Sequence, residues 1–331
     1  MSEVYFSKDI ENIIKKIDFS YLGKNVAIKV HFGEERCDTY VNPEIVKKIY
    51  EKVVSLGKKA SLVECNVMYK GKRTNASSHI EVAKKHGFDF CNIDILDGEK
   101  GEEFIEVDLG NFKAKLGKGL GKYDSMIVIS HFKGHMMAGY GGALKNVGMG
   151  LGSRAGKLHM HSNIKPSINT AKCIGCGICY NNCDSKAISI FDKKAKINPE
   201  KCTGCAMCIA VCPEKAVRIP WEGSTNSELQ EKIAGYCEGV AKIIPKMIFI
   251  NVLQKITPNC DCVNAKQEII MDDIGILASN DIVAIDKASL DLAGEKFNRI
   301  NNIDKEKFIE YGEKSGLGKK EYKLVKLDSR N

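Results

Sequence analysis

Eight of the fourteen cysteines in this 331-residue chain fall into two runs of one spacing, C-x2-C-x2-C-x3-C. Cys173, Cys176, Cys179 and Cys183 form the first; Cys202, Cys205, Cys208 and Cys212 form the second. Three thiolates at three-residue intervals on a tight loop can wrap one corner of a cubane iron–sulfur cluster. The fourth, one helical turn on, is swung away from its own loop. Gly175 and Gly204 stand at matching places, where a ligating loop needs an unhindered backbone. Zinc ribbons or scattered thiols are the competing reading of such cysteines.

The stretch 171–219 resembles the bacterial two-cluster ferredoxins. Cys-Ile-Gly-Cys-Gly-Ile-Cys recurs as Cys-Thr-Gly-Cys-Ala-Met-Cys, and short apolar pieces suited to hairpin strands (Ala187 to Ile190, Ala216 to Ile219) follow each run. In that family the fourth cysteine ligates the other cluster. The resemblance therefore implies two [4Fe–4S] clusters, one on Cys173, Cys176, Cys179 and Cys212, the other on Cys202, Cys205, Cys208 and Cys183. Pro213 follows Cys212 as the family pattern asks, but Asp184 follows Cys183, putting a charge near one cluster.

A second chemical surface begins at Ser130. His131, Lys133 and His135 are followed by Gly139, Gly141 and Gly142, whose backbone N–H groups can approach an oxyanion, and by Lys145 and Asn146. Arg154, Lys157, His159 and His161 add cationic or metal-binding groups, and four of the seven histidines lie in this segment. It leaves the carboxyl end of an apolar strand, where parallel α/β sheets place their ligand sites. We read an anion or cofactor pocket from Gly139, Gly141, Gly142, Lys145, Asn146, His31 and Arg154, with His131, His135 and Lys133 as its candidate proton-transfer groups. A histidine-held metal and a plain glycine-rich connector are the alternatives. Tyr69, Lys72 and Arg73 follow another strand end; His79 and His86, on a predicted helix, read as surface residues.

Asn259-Cys260-Asp261-Cys262 is the third cluster. In an extended segment residues two apart face one side, so Cys260 and Cys262 are a candidate extra metal site, with Cys65 or Cys91 as third partner. Two buried thiols without metal are the alternative.

The elements that position these groups alternate. Strands are predicted at 25–30, 59–64, 88–93, 103–107, 125–130, 247–253 and 322–327. Helices are predicted at 7–17, 42–55, from a Ser78-His79-Ile80-Glu81 capping box to Gly87, from Thr225 to Pro245, at 282–293 and at 307–311. Alternation of this kind means βαβ units and a mostly parallel sheet. The fold class expected is α/β with a mostly parallel sheet, plus an inserted small α+β dicluster ferredoxin-like domain. The α/β domain is discontinuous, 1–166 and 221–331, and the insert covers 167–220.

Lys29-x-His31-Phe32-Gly33-Glu34, Ser130 to His135, Gly141 to Gly150, Asn259 to Cys262 and Asp273 to Ser279 together resemble the family of domain of unknown function 362 (DUF362), in its iron–sulfur branch. The resemblance runs nearly end to end. It implies an α/β domain carrying a dicluster insert, in anaerobic bacteria or archaea, and brings no reaction with it. The glycine-rich segment also resembles lactate-racemase-type nickel-pincer enzymes, with no cofactor carried over.

Composition narrows the classes. A 44% apolar chain of this length can bury a sizeable core. Unprotected clusters favour a reducing cytoplasm, and the start has neither the basic nor the apolar region of a signal peptide. No apolar run approaches the ~20 residues of a membrane span. The net charge of +8 is mostly lysine without interleaved aromatics, which argues against nucleic acid. The function expected is electron transfer coupled to binding, or reduction, of a small anionic substrate or cofactor, with a redox partner protein as donor. A non-enzymatic carrier docking an oxidoreductase and a metal-dependent non-redox enzyme with structural clusters are the alternatives.

Overall fold

Ser125–His131 (β5), buried along its whole length, lies near the middle of an eight-stranded sheet. The computed structural model describes residues 1–327. The other strands are β1 (Ser2–Ser7), β2 (Asn25–Lys29), β3 (Lys59–Glu64), β4 (Ile93–Ile95), β6 (Met247–Leu253), β7 (Gly275–Ser279) and β8 (Tyr322–Lys326), in the order β8-β1-β7-β6-β5-β2-β3-β4. Every neighbour pair is parallel except those made by β7, which opposes both β1 and β6. The sheet is thus mostly parallel, as the alternation of elements predicts.

Parallel strands buried on both faces need helices on both sides. One face carries α1 (Ile10–Lys16), α2 (Pro43–Ser55) and α3 (Ala76–Lys85), packed on Val26, Ile28, Ile127, Ile129 and Ile248. The other carries α4 (Ala143–Leu151), α5 (Arg154–His161), α8 (Asn226–Ile243), α9 (Ile282–Asn298) and α10 (Glu306–Lys314), with Met126, Val128 and Phe249 beneath. Helix starts follow local chemistry: Asn42 with Pro43 opens α2, Thr225 and Glu228 close a capping box on α8, and Asp281 caps α9. The start of α3 departs from prediction. Asn75 Oδ1 accepts from Ser78 N–H, so Asn75 is the cap and Ser78 lies within the helix.

Two strands of the large sheet were not predicted, β1 and β7; the N-terminal helix is correspondingly shorter than 7–17. The 103–107 strand forms as Phe104–Asp108 but pairs with Lys113–Gly117 in a separate hairpin. The 88–93 strand is displaced: β4 shares only Ile93 with it, and Phe88 packs its ring against Phe32.

Residues 167–219 build a small unit of their own, with short helices α6 (Ile178–Asn181) and α7 (Met207–Val211). Ser167–Ile168 pairs with Val217–Arg218, and Ile188–Phe191 pairs with Lys194–Ile197, both antiparallel. Its apolar centre holds Cys173, Cys179, Cys208 and Cys212, and is joined from the α/β part by Met68 and Leu158. The chain leaves the large sheet after β5 and re-enters it as the neighbouring strand β6.

α4 and α8 approach closely at Gly148. A Cβ there would stand 2.2 Å from the Ile233 carbonyl oxygen and 2.7 Å from Ile233 Cγ2, and a backbone oxygen cannot swing aside. Gly148→Ala is expected to cost about 2–3 kcal/mol by forcing the helices apart. A lower urea midpoint with an unchanged slope is the readout, and an unshifted midpoint would refute the close-packing account.

Candidate functional site

The carboxyl ends of β2, β3 and β5 open into a cavity of about 460 Å³. β2 runs into His31, β3 into Cys65, and β5 into Lys133 and His135. The N-terminal end of α4 supplies Gly141, Gly142, Lys145 and Asn146, and α5 supplies Lys157 and His161. Methionines 68, 136, 137 and 149 make much of the apolar wall, and Trp221 and Val263 add to it.

Beneath the cavity lies a buried charge network. Lys29 Nζ meets Glu64 Oε1 at 3.0 Å and donates to Asn146 Oδ1 at 2.7 Å. Arg73 Nε pairs with Glu34 at 2.8 Å, and the Tyr69 hydroxyl donates to the same carboxylate oxygen at 2.7 Å. Burial pulls Lys29 down from its ordinary value against the pull of Glu64. Asn146 also donates to the Ile129 carbonyl and to Ser130 Oγ, so its amide is committed to positioning α4 against β5.

Asp261 organises a second network that sequence reasoning did not single out. Its carboxylate lies 2.9 Å from His131 Nδ1 and 3.1 Å from Lys133 Nζ, and Thr39 Oγ1 donates to it at 3.3 Å. Burial alone would raise this carboxyl, but His131 and Lys133 override that and hold it well below the carboxylate range. His131 Nε2 meets the Gln254 carbonyl at 3.0 Å, so both ring nitrogens face scaffold oxygens and the ring stands behind the cavity wall.

The predicted pocket residues divide. His31, Lys133, His135, Gly141, Gly142, Lys145 and Asn146 line the cavity; His131, Gly139 and Arg154 do not. Gly139, at φ +85°, packs its backbone against Ile303 and Lys305. Arg154 is buried and donates to the Val67 and Thr74 carbonyls, tying α5 to the loop after β3. Tyr69 and Arg73 reach the crevice, as do Lys157 and His161, whereas His159 turns away to the Tyr236 hydroxyl at 3.1 Å. His79 is fully buried against Phe32 rather than at the surface, and His86 is half-buried, stacked on Tyr40. Burial holds the rings of His31 and His135 well below the usual imidazole range.

Cys260 and Cys262 both line the cavity, but on a turn and not an extended segment: Val263 N–H donates to the Cys260 carbonyl at 2.9 Å. The third group that closes on them is His135, not Cys65 or Cys91. The two sulfurs and a ring nitrogen of His135 lie within 4.8 Å of one another. Lys145 Nζ stands 3.4 Å from Cys260 Sγ. The hydrogen bond from Cys262 holds the Cys260 thiol well below its ordinary value, and Lys145 and Lys133 assist against burial; the same shared proton, with burial, pushes Cys262 up.

The eight remaining motif cysteines line two small cavities in the 167–219 unit. One is bounded by Cys173, Cys176, Cys179 and Cys212, the other by Cys202, Cys205, Cys208 and Cys183. Gly177 and Ala206 hold left-handed backbone just before α6 and α7, turning each loop inward. Backbone N–H groups of Ala195, Ala216 and Ala187 point at the sulfurs of Cys173, Cys212 and Cys183 at 3.2–3.4 Å. Such donors stabilise thiolates that carry a metal cluster.

Among the described residues no helix is long and apolar enough to cross a membrane. The family model described as "Domain of unknown function (DUF362)" matches residues 26–291. No curated protein matches the chain in sequence. Among solved structures, it is similar to the lactate racemase apoprotein from Thermoanaerobacterium thermosaccharolyticum, at 13% identity and TM-score 0.39, over 78% of this chain and 51% of that one. It is also similar to a Thermotoga maritima protein, again at 13% identity and TM-score 0.39, over 92% of this chain and 57% of the other. The chain thus spans about half the length of the solved proteins it matches.

Proposed function

We propose that this chain, which belongs to the DUF362 family, is an iron–sulfur protein of that family's cluster-bearing branch that passes electrons into the cavity of its α/β part. One observation carries the reading: each small cysteine cavity is bounded by three cysteines of one run and the fourth of the other. That crossing is what a two-cluster ferredoxin-like insert requires, and zinc ribbons give no reason for it. Cys173, Cys176, Cys179 and Cys212 would hold one [4Fe–4S] cluster, and Cys202, Cys205, Cys208 and Cys183 the other. When bound, such clusters supply electrons one at a time, at potentials anywhere from about −700 to +450 mV.

What favours a reaction over simple carriage is the large cavity beside them. Met68 belongs both to the cysteine unit's apolar core and to the cavity wall, and Lys70 Nζ donates to the Cys212 and Pro213 carbonyls at 3.1 and 2.9 Å. The loop after β3 therefore bridges the two sites. In the cavity Lys145 and Lys157 face a single carboxylate, Glu64, that is already paired with Lys29, so a small anion is the ligand its charge suits. Lys133, held by Asp261, and the neutral rings of His31 and His135 are placed to orient that anion and donate hydrogen bonds to it.

The test is anaerobic purification with iron and sulfide counting, and EPR before and after dithionite. About eight irons and a spin-coupled signal in the reduced protein are expected. Zinc in place of iron, or four irons only, would overturn the reading.

A further inference from the structure

Cys260 and Cys262 are not used by the iron–sulfur reading, yet they sit at the wall of the large cavity beside Lys145 and His135. Two thiols and an imidazole this close can hold zinc. Two contacts weigh against an ion. His135 Nδ1 accepts from the Met137 and Ala138 N–H groups at 3.2 and 2.9 Å, which places the neutral ring's proton on Nε2 and leaves neither nitrogen a free lone pair. Lys145 Nζ, 3.4 Å from Cys260 Sγ, already supplies the positive charge that a thiolate needs.

We propose that Cys260 and Cys262 form a redox-active dithiol–disulfide pair, with Cys260 the attacking sulfur, that reduces a small anionic disulfide held in this cavity. The two sulfurs lie within 4.8 Å of each other on the turn at 260–263, and side-chain rotation from there can close an S–S bond of about 2.05 Å. The hydrogen bond from Cys262 favours the ionised form of Cys260, the form that attacks, and Lys145 at 3.4 Å adds its positive charge. Lys145 and Lys157 suit an anionic ligand, and the methionine wall suits its apolar or sulfur-bearing part.

The chemistry balances. The Cys260 thiolate bonds to one sulfur of the ligand as the ligand's own S–S bond breaks, and the departing thiolate takes the proton that Cys262 gives up. The Cys262 thiolate then bonds to Cys260 and displaces the second ligand thiolate. The ligand has gained two electrons and the protein holds a disulfide. Two electrons and one proton restore the thiolate–thiol pair, and the electron count is one that a pair of reduced one-electron iron–sulfur centres matches; that return step alone rests on the function proposed above.

The experiment uses anaerobically purified holoprotein and glutathione disulfide as the probe, followed by intact and peptide mass spectrometry with parallel iron and zinc analysis. In the wild-type protein a Cys260–Cys262 disulfide should form and revert on reduction. Cys262→Ser should trap one glutathione on Cys260. Lys145→Ala should slow trapping in the Cys262→Ser background by about tenfold at neutral pH, since the thiolate fraction falls toward that of an ordinary thiol, and Lys145→Arg should restore it. Iron content should be the same in all four proteins. Trapping absent from Cys260, or one tightly held zinc that His135→Ala releases with the iron unchanged, would overturn the proposal while leaving the cluster reading intact; loss of iron in the wild-type protein would overturn the cluster reading and leave the dithiol standing.

Discussion

Cys176→Ala and Cys212→Ala, combined in one chain, are expected to leave about four of roughly eight irons, no fewer than either change alone. In the crossed arrangement both residues belong to the cavity bounded by Cys173, Cys176, Cys179 and Cys212, so the second change removes a ligand from a cluster already lost. Cys176→Ala with Cys183→Ala should instead strip both clusters, because Cys183 bounds the other cavity. EPR of the reduced first variant should show one uncoupled centre, and that of the second none. If the first pair lost all iron and the second kept four, ligation would run along each motif separately and the assignment would fail. The contrast works because both pairs remove Cys176 and differ only in which fourth cysteine goes with it.

The grouping of the eight cysteines around two small cavities follows the crossing that the ferredoxin resemblance implies, and the motif that carries that resemblance is a local, repeated spacing. The sheet was legible for a similar reason: a strand such as β5, apolar along its length, is buried whatever surrounds it. β7 was not, since Gly275 to Ser279 is five residues long, buried throughout, and shows no alternation to distinguish strand from helix or loop. The cavity was half legible. Lysines and histidines after β5 announced a polar site, but spacing could not separate residues that line it from residues that hold its wall. Arg154 and His131 looked like pocket groups and serve the scaffold, one by tying α5 to a loop, the other through Asp261. Asp261 went unmarked because its partners lie some 130 positions away in the chain, and such pairing leaves no local trace.

That habit of burying imidazoles has a consequence in solution. His79 and His135 are buried, His31 and His161 are half-buried in the cavity wall, and loss of solvent depresses each; His161 falls to about 3. In the unfolded chain each titrates near 6.5. As pH falls below that value the unfolded state takes up protons that the folded state refuses, so stability present above it is lost on acidification. Between about pH 7.5 and pH 5.5 each of the four contributes a loss of about 1.4 kcal/mol, together between 5 and 6. Asp97 and Asp286, raised by burial to about 6, have the opposite sign: their folded forms gain protons first, which returns about 1.5 kcal/mol over the same interval. His159, more open to solvent, adds only a screened fraction. These six groups together give a loss of roughly 4 kcal/mol, a large share of the stability of an ordinary domain, and Cys260, held low in the fold, adds to it in the same direction. Urea unfolding of the anaerobic holoprotein at the two pH values measures it. His79→Leu isolates one member, because neither ring nitrogen of His79 has a hydrogen-bond partner and the residue lies outside both cysteine cavities and the large one; it should shrink the loss by about 1.4 kcal/mol. Stability that holds or rises on acidification would mean that these rings are charged in the folded state, and that the cavity's hydrogen-bond donors are imidazolium rather than neutral imidazole.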